Sequence, residues 1–261
     1  MEKLRISLVQ SDIVWEDIAA NIRHAGDLLQ NLRGKTDVAI LPEMFSTGFT
    51  LFPENLAETI DDKTITAIKK YASDFDFAIA GSFIATENGR FYNRAFFITP
   101  SGEAYYYDKR HLFSISGEDR HFSKGNNRLI VTYKGWKICL MVCYDLRFPV
   151  WCRNVDNAYD TLVFVANWPH SRRAAWEALL RARAIENLCY AIGVNRTGSD
   201  GNNVHYTGGT FVFSPKGELL LDLGTEEKTD TFSLDWEELE RIRTKFPAWR
   251  DADFFQLTID N

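Results

Sequence analysis

Only four cysteines occur in 261 residues, and none forms a C-x-x-C pair. That is too few to staple a domain of this size, and the spacing excludes a zinc ribbon or a thioredoxin-like redox motif. Reduced thiols in the cytoplasm are the expectation. Basic residues are also scarce, 30 Lys and Arg against 36 Asp and Glu, and they form no dense stripe. A phosphate backbone needs such a stripe to release its counterions, so nucleic acid is an unexpected partner. The net charge of −6 has a second consequence. An anionic small molecule would need a local cluster of Arg or Lys, because the overall field repels it. No uncharged apolar run is long enough to span a bilayer, and residues 6–9 lack the length and cleavage site of a secretory signal. The chain reads as soluble and unexported. Polar, low-complexity linkers are missing too, with 19 Phe, 10 Tyr and 7 Trp spread from Trp15 to Phe255. One folded unit over residues 1–261 is expected.

What is present is a series of short, apolar, β-branched runs: residues 4–10, 38–41, 77–85, 95–99, 104–108, 129–133, 137–142, 161–166, 190–195, 210–213 and 219–223. Each reads as a strand. Helical periodicity occupies 18–32, where Ile18, Ile22, Ala25, Leu28 and Leu29 share a face, and also 64–71 and 172–187. Asp235 followed by Glu238 fits an N-terminal capping box for a helix to about residue 243. Tight-turn signals at Asn88-Gly89, Pro100-Ser101-Gly102, Lys134-Gly135 and Pro215-Lys216-Gly217 favour hairpins. Hairpin and β-helix-β order together imply an α/β (α+β) architecture of two mixed sheets packed face to face with helices outside.

Cys143 carries the most chemical information. It follows the run Lys137 to Val142 and precedes Tyr144-Asp145-Leu146-Arg147-Phe148-Pro149, where a buried strand stops and a short helix begins. A side chain there projects from a rigid floor with backbone N–H groups nearby for a developing oxyanion. Taken alone, Cys143 also fits a buried, inert thiol. Cys139, four residues earlier on the same strand, reads as packing, as do Cys152 and Cys189. Glu43, in Leu41-Pro42-Glu43-Met44, likewise ends a strand, and its apolar neighbours would desolvate a carboxylate suited to act as a base. An exposed turn glutamate is the alternative. Lys109 follows Tyr105-Tyr106-Tyr107-Asp108 and is either a solvated strand end or a cation that favours a thiolate and then a substrate oxyanion. Glu118 stands in a polar stretch and would at most orient other charges.

Together and in order, these residues resemble the nitrilase superfamily of carbon–nitrogen hydrolases. The resemblance rests on Leu41-Pro42-Glu43-Met44-Phe45, Tyr107-Asp108-Lys109-Arg110-His111-Leu112-Phe113, Glu118 upstream of Gly125, and Val142-Cys143-Tyr144-Asp145-Leu146-Arg147-Phe148-Pro149. Ala166-Asn167-Trp168-Pro169, residues 181–187 and Asn195-Arg196-Thr197-Gly198 extend it over nearly the whole chain. Within the superfamily the sequence is most similar to the omega-amidases, which release ammonia from the distal amide of 2-oxo acid amides such as 2-oxoglutaramate and 2-oxosuccinamate. The Cys-Tyr-Asp-Leu-Arg-Phe-Pro segment and Phe246-Pro247-Ala248-Trp249 carry that likeness.

The resemblance implies a four-layer α-β-β-α sandwich, usually dimeric. It implies Glu43 as general base, Lys109 as stabiliser of the tetrahedral intermediate, Glu118 as the second, orienting glutamate and Cys143 as nucleophile, with the Tyr144 N–H joining the oxyanion site. A thioester intermediate follows, without metal or organic cofactor. Such an enzyme must also hold the substrate carboxylate, for which Arg172 and Arg173 are candidates, with Trp168 and Tyr144 as pocket walls; two solvated arginines and core aromatics are the alternatives. The five histidines, His24, His111, His121, His170 and His205, show no local signature of a cysteine–histidine hydrolase, although His111 and His121 flank the proposed site. Other C–N substrates (a nitrile, an N-carbamoyl amine or a simple amide) and a non-catalytic metabolite-binding role are the competing readings. The aromatic end, Phe246 to Trp249 with Phe254-Phe255, would cover its own core or reach a second copy in a homodimer.

Overall fold

The structure, a computed structural model, describes residues 2–253 and 255–256. Its strands are β1 Leu4–Gln10, β2 Val38–Ile40, β3 Ala78–Glu87, β4 Arg90–Ile98, β5 Ala104–Asp108, β6 Leu129–Tyr133, β7 Trp136–Val142, β8 Thr161–Ala166, β9 Tyr190–Asn195, β10 Thr197–Ser199, β11 His205–Thr207, β12 Phe211–Phe213, β13 Leu219–Asp222 and β14 Lys228–Leu234. Its helices are α1 Ile18–Gln30, α2 Lys63–Phe75, α3 Glu118–His121, α4 Pro149–Cys152, α5 Arg173–Asn187 and α6 Trp236–Lys245.

Two six-stranded mixed sheets form, in the orders β14-β1-β2-β3-β4-β5 and β13-β12-β9-β8-β7-β6, beside a two-stranded ribbon β10-β11. In each, the central strands run parallel, β1-β2-β3 and β7-β8-β9, and antiparallel strands flank them. Period-two alternation decides which face each side chain takes. Leu4, Ile6 and Leu8 of β1 join Val38, Ile40, Ala80 and Phe97 in one core with Leu140, Val163 and Ile192 of the second sheet, whose other face carries Cys139, Met141, Leu162 and Phe164. The opposite face of the first sheet, Val9, Ala39, Ile79, Phe83 and Phe96, packs on Ala25 and Leu29 of α1 and Ile65, Ile68 and Ala72 of α2. Helix α5 covers the second sheet through Trp176, Leu180 and Ala184; Gly193 of β9 permits the approach, since a Cβ there would strike Leu180 and Trp176. These are the four layers of an α-β-β-α sandwich.

Local chemistry sets the element ends. The Asp17 side chain accepts from Ala20 N at 2.9 Å to start α1, and Asp235 accepts from Glu238 N at 3.1 Å to start α6. Three strands had no apolar run to betray them. The ribbon β10-β11 is made of Thr, Gly, Ser, His and Tyr, and β14 lies at a sheet edge with Lys228 and Ser233 exposed and residues 229–232 only half-buried. At the C-terminal end, Phe246 is two-thirds exposed, Phe255 is exposed, and Phe254 lies outside the described residues. No helix among the described residues is long and apolar enough to cross a membrane.

Candidate functional site

Strand β7 delivers Cys143 to the end of the inter-sheet core, and the backbone turns there with φ of 42°. A non-glycine residue in the left-handed region is strained, so something must hold it. Asp145, fully buried, does so: its carboxylate accepts from Val142 N at 3.1 Å, Tyr107 hydroxyl at 2.7 Å, and His111 N and Nδ1 at 3.0 and 2.8 Å. The same carboxylate therefore fastens the turn after β7 to the segment that carries Lys109. Cys143 begins a short helical turn to Arg147, and the Tyr144 N–H in its first residues has no acceptor inside that turn.

Glu43 follows β2 and Lys109 follows β5, both strands of the first sheet, so the two side chains reach Cys143 across the sandwich. Glu43 is 0% exposed and hydrogen-bonded throughout. Its Oε1 accepts from Asn93 Nδ2 at 2.7 Å and Lys109 Nζ at 3.1 Å, and its Oε2 accepts from Asn167 N at 2.7 Å. Lys109 Nζ also meets both oxygens of Glu118 at 2.9 Å and lies 5.3 Å from the Phe49 ring centroid. Glu118 is buried at the start of α3, its Oε2 also accepting from Phe113 N at 2.6 Å, and is no exposed loop glutamate.

The electrostatics follow from one buried ammonium among two carboxylates and a thiol. Burial alone would lower the Lys109 pKa, but Glu118 and Glu43 outweigh it and raise it, so the ammonium is fixed. Burial raises Glu118 above the usual carboxylate range, partly offset by Lys109. Burial, then the charge of the Glu43 carboxylate, push Cys143 well above an ordinary thiol, while Lys109 pulls the other way. Lys109 itself favours the thiolate, but burial and Glu43 outweigh it. The thiol keeps its proton, next to a carboxylate able to take it.

These groups open on a cavity of about 190 Å³ lined by Glu43, Lys109, Cys143, Tyr144, Asn167 and Trp168, with Phe49 and Phe113 among its apolar walls. That is smaller than the 300–1,000 Å³ typical of drug-sized ligands and suits a small metabolite. Arg172 lines it, its guanidinium 4.9 Å from the Phe113 ring centroid. Arg173 does not: it turns back to the Thr207 carbonyl and lies 5.4 Å from the Phe211 ring, because it starts α5 and faces the sheet. Trp168 and Tyr144 both line the cavity. His24 bonds Glu227 at the surface, and His121 packs on Phe52, neither in the cavity wall; His111 acts through Asp145. Among the described residues no cluster of three or more His, Cys, Asp and Glu side chains is arranged to hold a metal ion.

Sequence reasoning missed the residues that hold Glu43: Asn93, Ser82 and Asn167. Ser82 Oγ donates to Asn93 Oδ1 at 3.0 Å, which aims Asn93 Nδ2 at Glu43. The available signal was polarity inside a strand, since Asn93 interrupts β4 yet is 0% exposed. The far wall, Asp200, Val204 and Tyr206, comes from the β10-β11 ribbon. Buried Arg196 anchors it, 4.7 Å from the Tyr206 ring centroid and bonded to Asp12 at 2.9 Å. Gly198, at φ 80°, is required there because a Cβ would collide with the Asp12 carboxylate.

Comparison with known proteins places this arrangement in context. The carbon-nitrogen hydrolase family matches residues 5–244. The omega-amidase YafV of Escherichia coli strain K12 is 45% identical over 260 residues, covering 98% of this chain and 100% of that protein. A 2-oxoglutaramate amidase of Bacillus subtilis is 32% identical over 255 residues, covering 95% and 97%. The crystal structure of XC1258 from Xanthomonas campestris, a CN-hydrolase superfamily protein with an arsenic adduct in the active site, matches with a TM-score of 0.97 at 43% identity, over 99% of this chain and 100% of its own. With a family match over most of its length and relatives of this identity along nearly all of it, the chain belongs to the carbon-nitrogen hydrolase family.

Proposed function

We propose that this enzyme is an omega-amidase that hydrolyses the terminal amide of a small 2-oxo acid, 2-oxoglutaramate or 2-oxosuccinamate, through a thioester on Cys143. The observation that carries the reading is that Cys143, half-buried, opens on the same cavity as Glu43, itself locked to the Lys109 ammonium. As Cys143 attacks the amide carbon, its proton passes to Glu43. Lys109 Nζ and the Tyr144 N–H hold the oxyanion. Glu43 then returns the proton to the departing nitrogen, the C–N bond breaks, and ammonia leaves a thioester. A water whose proton goes to Glu43 attacks that thioester. The C–S bond breaks, the acid is released, and sulfur regains the proton. Glu118 keeps Lys109 aimed throughout. The relatives' amidase names, the small cavity and Arg172 on its wall support this choice of substrate.

A panel of 2-oxo acid amides, simple amides, nitriles and N-carbamoyl amines, scored for ammonia, tests the substrate. Turnover of 2-oxoglutaramate or 2-oxosuccinamate is expected. Release from other members alone would reject the assignment, whereas hydrolysis surviving in Cys143→Ala would reject the mechanism. We further propose a cytoplasmic homodimer. Four unpaired thiols fit a reducing compartment, and exposed Ile185 and Phe246, beside an apolar groove with Leu188 and Ile242, offer a face for self-association.

A further inference from the structure

The cavity holds a cation that the omega-amidase reading does not use. Arg147, four residues after the nucleophile, lines it together with Arg172. Its guanidinium lies 5.0 Å from the Trp168 ring centroid, as that of Arg172 lies 4.9 Å from Phe113. Among the described residues neither guanidinium has a hydrogen bond or an ion pair with a protein group, in contrast to the engaged Arg5, Arg94, Arg183, Arg196 and Arg243. Each is instead supported on an aromatic face, which fixes a planar fork while leaving its N–H groups free. The two rings are tied to the same wall: Trp168 Nε1 donates to the Arg172 carbonyl at 2.9 Å, and Phe113 packs on Tyr144 with ring centroids 5.0 Å apart.

The acidic groups of the cavity are already committed. Glu43 is saturated by Lys109, Asn93 and Asn167, and Asp200 accepts from Asn202 N, Val204 N and the Tyr206 hydroxyl. The cavity wall therefore carries two free cations and no free carboxylate, inside a chain whose net charge is −6. Such a local reversal of sign has one chemical meaning for a ligand: an anionic end is attracted, and an ammonium finds no counter-charge.

We infer that Arg147 is a specificity-determining residue, which with Arg172 forms a two-armed clamp for the carboxylate of an acid amide and rejects the corresponding amino acid amide. This deepens the omega-amidase reading and rests on it for the identity of the acid. The clamp selects by charge at the end of the substrate remote from the C–N bond. It acts on binding of acid amides in preference to neutral ones, and it disfavours a 2-ammonium group where a 2-oxo group is accepted.

The experiment has two readouts on the full-length protein, its Arg147→Gln and Arg147→Lys variants, and Arg172→Gln. The first is the ratio of kcat/KM for 2-oxoglutaramate to that for neutral valeramide. The second is independent of turnover: the concentration of 2-oxoglutarate that protects Cys143 from alkylation by iodoacetamide, followed by mass of the Cys143 peptide, the other three thiols being buried. Loss of one charge-assisted fork is expected to cut the ratio by about tenfold or more and to raise the protecting concentration by a similar factor. Arg147→Lys, with charge but no fork, falls between. Glutamine is expected to be a poorer substrate of the unaltered enzyme than 2-oxoglutaramate. If the dicarboxylate gives no protection, or if Arg147→Gln shifts both quantities less than twofold, the clamp is overturned while ammonia release from 2-oxoglutaramate still upholds the omega-amidase reading. If no 2-oxo acid amide is turned over yet protection depends on Arg147, that reading falls and the clamp stands.

Discussion

Lys109 is held by Glu43 at 3.1 Å and by Glu118 at 2.9 Å, with all three side chains at most 1% exposed. Removing one member of such a group leaves an uncompensated buried charge, which costs about 3–5 kcal/mol. Lys109→Met should therefore destabilise the protein by that order in urea unfolding and abolish ammonia release. Adding Glu118→Gln should restore part of the stability and none of the activity, because the surplus carboxylate goes while the oxyanion still lacks its cation. A double variant no more stable than Lys109→Met would refute this account of the charges. At this scale the sequence was legible wherever a reactive residue ended an apolar strand, as Glu43 and Cys143 do. Arg147 and Asn93 carried no such signal. Their roles depend on which rings and carboxylates lie beside them, Trp168 for one and Glu43 for the other.

Among the elements, the ends of β1 and β2 are tied to the β6-β7 hairpin through Asp37. Its carboxylate accepts from Arg5 N at 2.9 Å and Arg5 Nη2 at 3.1 Å, and from Lys134 Nζ at 2.6 Å, so one residue links the two sheets. Burial alone would raise its pKa, but these donors hold it at about 2 against the ordinary 3.8. Since the native carboxyl binds its proton less readily than the unfolded one, the stabilisation is present above pH 3.8 and is lost as pH falls through about 2. With Arg5 and Lys134 both half exposed, solvent screening leaves about 1 kcal/mol. Asp37→Asn should lower unfolding stability by that amount at pH 7, and the difference should close between pH 4 and pH 2. A gap constant across that range would show that the charge contributes nothing. The strands β1, β5, β6, β8 and β9 were readable to the residue, β8 and β9 because they are predominantly apolar runs buried on both faces, the others from runs of aliphatic or aromatic residues. β14 and the β10-β11 ribbon were not, since they are built largely of Thr, Ser, Gly, Lys, Asp and His and bury few residues, which leaves no apolar pattern.

For the molecule as a whole, the buried core holds titratable groups that give up their protons less readily than in the unfolded chain. Burial lifts the Cys139 thiol from its ordinary 9.0 to about 12, and Tyr107, Tyr159 and Cys152 are likewise raised well above their usual values, first by burial. Between those limits the unfolded chain has lost protons that the native protein retains, so stability is full below pH 9 and falls as pH rises toward 12. Each such group contributes up to about 1.4 kcal/mol per pH unit. Urea unfolding should weaken steeply from pH 9 to 10.5, and Cys139→Val should shallow the slope by about one proton; an unchanged slope would count against burial as the cause. The sequence by itself determined the two-sheet layering and the order of Glu43, Lys109, Glu118 and Cys143, because apolar periodicity and strand-end position are properties of neighbouring residues. The tertiary structure alone decided that Glu118 is buried, that the thiol rests protonated, and that Arg147 rather than Arg173 faces the cavity. Those outcomes depend on desolvation and on partners brought from strands of the opposite sheet, and distance along the chain carries no information about either.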